Sequence, residues 1–475
     1  MKGRRLRFII VIAVMALIVA ACSQDSEDTT TTAPTTAAPT TAATTTTEAP
    51  TTTQAATTTA APADGVVFDI GVTEDPCPGG DADRGCIYVG AITDESGPFA
   101  AASPALVGGQ KAFWAVVNAT GGIGGEFDVA LPDEYVKDGQ YRPDVTVTEY
   151  TSIADSVAAL AMLLGTPQGL ATLDSLEADN TIAAPMSWWS GWGFVEQDRG
   201  LIYEFGTPYC YEGMNAMDWA AGEIGAGPGV AIETVGILKF DSDYGNDYAE
   251  GVKESAAAND VTVAWEEVIV AVAAGGDPSQ VEAVTKLVTD PVDAVFIVSG
   301  PNELAPIVGG GIQQGYTGLF IGAAPSWSPA LLQTAAGPAF QVGTYFQSSF
   351  VGPWDYDSAG HATLRAALPD VPGNFFFVAG WMSQYALKAA FDAAYASGDM
   401  TKAGIVAAAQ QLSTVDYQGM ATARPFTGDP DEIITRDSII GRVDTSTTDG
   451  IAVAEDFFIG PTATAHTHSA PCAAP

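Results

Sequence analysis

The chain has 475 residues, 47% of them hydrophobic, with 18 lysines and arginines against 57 aspartates and glutamates. A formal net charge of −39 argues against nucleic acid as a partner, because phosphate binding needs clustered cations, and suits a protein kept soluble outside the cell. With three histidines, no G-x-S-x-G elbow and no H-E-x-x-H, the chain is poorly supplied for catalysis, so no enzyme activity, cofactor or metal site is expected.

Lys2, Arg4, Arg5 and Arg7 precede an apolar stretch, Phe8 to Ala21, that is too short for a stable span. This is the pattern of a secretory signal peptide over residues 1–21. Val19-Ala20-Ala21-Cys22 looks like a bacterial lipobox, which implies lipidation of Cys22 and anchorage at the outer face of the cell membrane. Residues 22–64 are almost all Thr, Ala and Pro with no Lys or Arg, too poor in apolar groups to offset chain entropy, so a disordered stalk open to O-glycosylation is expected.

About 410 residues remain for folding, enough for two domains. With Cys22 assigned to lipid, Cys77, Cys86, Cys210 and Cys472 form an even set in an exported protein, which points to two disulfides and three possible pairings. Cys77 and Cys86 flank a Gly/Pro/Asp loop suited to local pairing, which would leave Cys210 to hold the tail at Cys472. A metal site built from His466, His468 and Cys472 lacks a firm fourth ligand.

Ile87, Val89 and Ala91 alternate as a short strand; a small-residue loop follows, and Ser103 and Pro104 suit an N-cap and a first helical position. Leu106, Phe113 and Val117 share one stripe of the helix, which Gly121 and Gly122 end. From Tyr135 to Thr148 the pattern turns polar and irregular. Beyond it, a helix over 170–178, a strand over 181–184 and a loop over 185–193 are predicted. Strands over 234–240, 261–270, 294–298 and 319–321 alternate with helices over 247–258, 279–289 and 301–314, the pattern of parallel βαβ units. Residues 375–397 have the pattern of one long helix. Gly309-Gly-Gly311 and Gly225-Ala-Gly227-Pro-Gly229 do not sit between a strand and a following helix, so neither is a dinucleotide fingerprint.

The strand, Ser96-Gly-Pro loop, helix and Gly-Gly-Ile-x-Gly turn of residues 87–125 resemble the opening of the branched-chain amino-acid-binding proteins, the type I periplasmic-binding family of ABC importers. Asp241-Ser-Asp-Tyr-Gly245 and Pro291-Val-Asp-Ala-Val-Phe296 are similar to pieces of that family's second lobe. The resemblance implies an α/β fold of two Rossmann-like lobes joined by a multi-crossing hinge, with lobe one over 65–206 and about 346–420, and lobe two over 207–345 and about 421–475. It further implies a monomer that captures a small molecule in the cleft and passes it to membrane permease subunits. A ligand-sensing module of the same fold is the alternative; a sensor ordinarily carries a further transmembrane or signalling segment, and none follows residue 400.

Loops at the carboxyl ends of strands carry the ligand groups in such a fold. The loops expected to do so contain Ser96, Gly97 and Phe99; Thr166 and Gln168; Ser187, Trp188 and Trp189; Tyr244; Ser299; and Ser326 with Trp327. By the resemblance, Ser187 is the best candidate for holding an α-carboxylate. Where the family's amino-acid binders place an acid for the α-ammonium, this chain has Ala323-Ala-Pro-Ser-Trp327, with no carboxylate. A buried ammonium needs a paired charge. With Trp188, Trp189, Trp192 and Trp327 on or beside the cleft loops, the expected ligand is either amino-acid-like or more apolar and aromatic.

Overall fold

The computed structural model describes residues 65–475; the expected signal peptide, Cys22 and the expected stalk lie outside the described residues. Two sheets organise the fold. In the first, β1 (Gly85–Thr93) is continued by α1 (Ser103–Ala119). The chain then forms β2 (Phe127–Ala130), β3 (Val136–Asp138), α2 (Pro143–Ile153), β4 (Ala159–Leu164), α3 (Thr166–Ala178) and β5 (Ala183–Met186). Strand β1 pairs in parallel with β2, β3 and β4, and β4 with β5. Every residue of β4 and β5 is buried, as befits parallel strands covered on both faces.

The second lobe begins at α4 (Tyr209–Ala220) and continues through β6 (Thr234–Lys239), α5 (Asp243–Ala258), β7 (Thr262–Val268), α6 (Val281–Thr289), β8 (Ala294–Val298), α7 (Pro301–Gln313), β9 (Leu319–Gly322) and β10 (Tyr345–Ser349). Its sheet holds β7, β6, β8, β9 and β10 in parallel, and two late antiparallel strands, Ser438–Val443 and Ile451–Phe458, extend it beyond β10. The continuous apolar run Ala294-Val-Phe-Ile-Val298 is the middle one of the five parallel strands and is fully buried.

Three local features differ from expectation. Ser103 does not cap α1: it lies inside the helix, and its hydroxyl is 2.7 Å from that of Thr93 at the end of β1. The long helix at 375–397 is two helices, α8 (Phe375–Met382) and α9 (Gln384–Ser397), meeting at Ser383, whose hydroxyl donates to the carbonyl of Gly380. Strand β10 pairs with β9 and so belongs to lobe two, which moves the return to lobe one past Ser349.

The chain crosses between the lobes three times: after Met186, after Ser349, and between Pro425 and Ser438. Side chains tie the first and third crossings together. The Thr207 hydroxyl donates to the carbonyl of Asp437 at 2.6 Å, and Thr435 and Arg424 both donate to that of Gly206. Buried Arg424 faces Glu204 at 3.3 Å. Disulfides join Cys77 to Cys86 and Cys210 to Cys472. The His466–His468–Cys472 metal alternative fails because Cys472 is in that bond and His466 pairs with Glu254.

Candidate functional site

The loop after β1 is drawn tight by Asp94, whose carboxylate accepts the N–H groups of Gly97 (2.5 Å) and Phe99 (2.7 Å). A Cβ at position 97 would fall 2.6 Å from that carboxylate, so only glycine allows the turn. The turn brings Phe99 against Tyr141, with ring centroids 4.9 Å apart. Tyr141 comes from the irregular segment between β3 and α2, which thereby builds part of the site.

Phe99, Leu106, Tyr141, Leu164, Met186, Ser187 and Trp188 of lobe one, Tyr209, Tyr244 and Pro325 of lobe two, and Phe375 and Phe376 at the start of α8 surround a narrow cavity of about 30 Å³. Trp188 is its centrepiece. Its ring lies among Phe205, Tyr209, Phe350 and Phe375, at centroid distances between 4.8 and 6.0 Å. Its indole N–H has no partner among the described residues. Tyr244 packs on Tyr209 at 4.7 Å and donates to the carbonyl of Ser299.

A polar seam borders this cavity where the lobes meet. Thr166, opening α3, donates to Asp243, opening α5, at 2.6 Å. The second oxygen of Asp243 and the side-chain oxygen of Gln168 are buried without partners among the described residues. Burial raises the pKa of Asp243 against the opposing effect of the Thr166 hydrogen bond. Burial, reinforced by the Asp243 charge, pushes the Tyr141 and Tyr209 phenols well above their ordinary range, so both keep their protons.

Of the residues expected from sequence, Phe99, Ser187, Trp188 and Tyr244 line the cavity; Thr166 and Gln168 do not line it, Thr166 bonding Asp243 and the Gln168 side-chain oxygen being buried without a partner among the described residues. The others lie elsewhere. Ser96 turns outward to donate to Asp138 at 2.6 Å, and Gly97 shapes the loop without lining the cavity. The Ser299 and Ser326 hydroxyls are fully buried and donate to the backbone carbonyls of Gly300 and Ala323. Trp189 packs edge-on against Trp192 and donates to the carbonyl of Ala473, so it holds the tail. Trp327 stacks on Tyr345 in the lobe-two core and donates to the carbonyl of Asp449.

Tyr141, Tyr209 and Phe375 were missed. Tyr209 directly follows the Gly206-Thr-Pro208 crossing, a place where a hinge aromatic could have been sought. A carboxylate does stand behind the Ala323–Trp327 loop, but it comes from α4: Glu212 accepts the N–H of Ala324 at 2.8 Å and the hydroxyl of Ser348 at 2.6 Å. Burial raises its pKa to about 7. It supports the loop and does not line the cavity.

Two α/β lobes, linked by three crossings beside a narrow cavity lined from both, define a cleft-type binding protein. The periplasmic binding protein family model matches residues 86–450, and the chain belongs to that family. Among solved structures it is similar to a fatty acid ABC transporter substrate-binding protein from Thermomonospora curvata, at 26% identity and a TM-score of 0.73 over 86% of this chain and 98% of that one. It shares its fold with a branched chain amino acid ABC transporter protein from Thermus thermophilus with bound valine (14% identity, TM-score 0.65, 80% and 98% covered). It also shares it with a solute binding protein from Rhodopseudomonas palustris in complex with 3,4-dihydroxy benzoic acid (18% identity, TM-score 0.62, 79% and 98% covered). No curated protein matches the chain. Among the described residues no helix is long and apolar enough to cross a membrane.

Proposed function

We propose that this protein is a lipid-anchored, extracytoplasmic substrate-binding protein of an ABC importer. It closes its two lobes on a small, largely apolar molecule and presents it to permease subunits in the membrane, with no chemistry of its own. The observation that carries the ligand class is the wall of the cavity: none of its side chains is acidic or basic. An α-amino acid buried there would leave its ammonium with no carboxylate in the wall to pair with, at a cost of several kcal/mol, whereas a carboxylate can accept from the wall's N–H and O–H donors. An apolar body against Phe99, Leu106, Trp188 and Phe376 removes hydrocarbon surface from water, and one polar end can accept from the Trp188 N–H and the Tyr141 and Tyr209 hydroxyls. The similar Thermomonospora curvata protein is a fatty acid ABC transporter substrate-binding protein, which supports the same ligand class.

The test is a thermal-shift panel of straight-chain fatty acids, aromatic acids, leucine and valine. A true ligand at about 100 times its Kd adds roughly 2.7 kcal/mol of stability. Apolar acids are expected to raise Tm, and the amino acids are not. Strong shifts with leucine or valine alone would overturn the ligand class.

A further inference from the structure

A second narrow cavity, of about 40 Å³, adjoins the first. Trp327, Val351, Ile440, Ile451 and Val453 form its apolar walls, and Phe375 lines both cavities. The neighbouring residues Ala324 and Pro325 likewise face one cavity each. Phe375 is the first residue of α8, where the Asn374 side chain caps the helix by accepting the N–H of Phe377. The Phe375 ring is half-buried, with its centroid 6.0 Å from the rings of both Trp188 and Phe350. One aromatic side chain on a fixed backbone therefore partitions two adjoining spaces. Most of the space on either side is narrower than a water molecule needs, so a ligand spanning both has to displace that ring.

The two cavities differ in polar chemistry. In the second, every polar side chain is satisfied within the protein. Gln347 donates to the carbonyls of Ala323 and Ser348 and accepts from Tyr345. Asp449 accepts the N–H groups of Trp354 (2.7 Å) and Ile451 (3.3 Å). Ser349 donates to the carbonyl of Val351. The first cavity keeps the unpartnered N–H of Trp188. A polar group therefore gains a new hydrogen bond only in the first cavity, while the second offers hydrocarbon contact.

We infer that the two cavities form one binding channel with Phe375 as its movable partition, the first taking the polar head and the second the distal methylenes of an unbranched aliphatic acid. This rests on the reading of the first cavity as the ligand site, and it adds a determinant of chain length that the first cavity does not supply.

The experiment is calorimetric titration of the full chain with hexanoate, decanoate and hexadecanoate, using the native protein, Val453→Phe and Phe375→Ala. In the native protein, affinity is expected to rise by up to about fourfold for each added methylene that reaches the second cavity. Val453→Phe, which fills that cavity, is expected to lower the hexadecanoate-to-hexanoate affinity ratio at least about tenfold. Phe375→Ala, which removes the partition, is expected to raise the same ratio. Should Val453→Phe not fold, as judged by its melt, the Phe375→Ala ratio decides alone. An unchanged ratio in the folded variants, or hexanoate binding as tightly as hexadecanoate in the native protein, overturns the channel while leaving the first cavity as the site. Failure of all three acids to bind the native protein overturns the apolar-ligand reading and the channel with it.

Discussion

Ser190 of lobe one donates both its N–H (3.0 Å) and its hydroxyl (2.5 Å) to the carboxylate of Asp247 in lobe two. The same carboxylate accepts the N–H groups of Cys210 and Ala473, so one buried group joins the Trp189–Ser190 loop, the start of α4 and the C-terminal tail. Asp247→Ala would leave these donors buried and unpaired. It is expected to destabilise the protein by about 2–3 kcal/mol, on the scale of hydrogen bonds to charged groups. Denaturant unfolding checks this, and a midpoint unchanged from the native protein would contradict it.

The pH dependence follows from three buried acids. Burial raises Glu204 to about 8, and Glu212 and Asp247 each to about 7. A carboxyl with a raised folded pKa holds its proton where the unfolded chain has lost it, so stability falls as pH climbs through that interval. Buried His361 and His468 are lowered to about 4 and act oppositely, but only below their ordinary value of 6.5. Above that value the acids dominate. Tm is therefore expected to fall between about pH 6.5 and 8.5, and a flat or rising Tm in that window would refute the assignment.

The Cys210–Cys472 disulfide spans a sequence separation of 262, so it restricts the unfolded chain strongly. Cys472→Ser is expected to cost about 4 kcal/mol and to release the tail from Trp189. Calorimetry should show a lower Tm, and the Trp189 emission should shift to longer wavelength. A native protein already matching the variant without reductant would mean that the bond is not formed.

Adjacent tryptophans should separate binding from stability. Trp188→Phe keeps an aromatic ring and removes the indole N–H that has no partner among the described residues; decanoate affinity is expected to drop about tenfold with little change in Tm. Trp189→Phe removes the bond to Ala473 and is expected to cost about 1 kcal/mol of stability, with affinity held within about twofold. The reverse pattern, measured by titration and melting, would put the ligand on the wrong side of the loop.

Much of the fold was legible in order along the chain. The run Ala294-Val-Phe-Ile-Val298 is a fully buried strand as its composition predicts, and it pairs in parallel with the strand that leads into Asp241–Gly245. Boundaries shifted where polar side chains intervened: α5 begins at Asp243, with Ser242 as its cap, four residues before the predicted start. The site was less legible. Ser96 and Phe99 share one loop, yet Asp138 draws Ser96 outward while Tyr141 packs on Phe99 inside. Both partners lie some 40 residues along the chain, beyond the reach of any local pattern.

The amino-acid sequence by itself determined the alternation of strands and helices, the two-lobed class and the carboxyl-end loops, because hydrophobic period and turn chemistry act over a few residues. Only the tertiary structure decided which side chains on those loops meet. Trp188 lines the cavity, Trp189 holds the tail and Trp327 stacks in the lobe-two core, although all three are tryptophans in loops. A side chain's direction in a loop is set by the long-range partners that satisfy its N–H and bury its ring. For Trp189 and Trp327 the hydrogen-bond partners are Ala473 and Asp449, and for Trp188 there is none among the described residues.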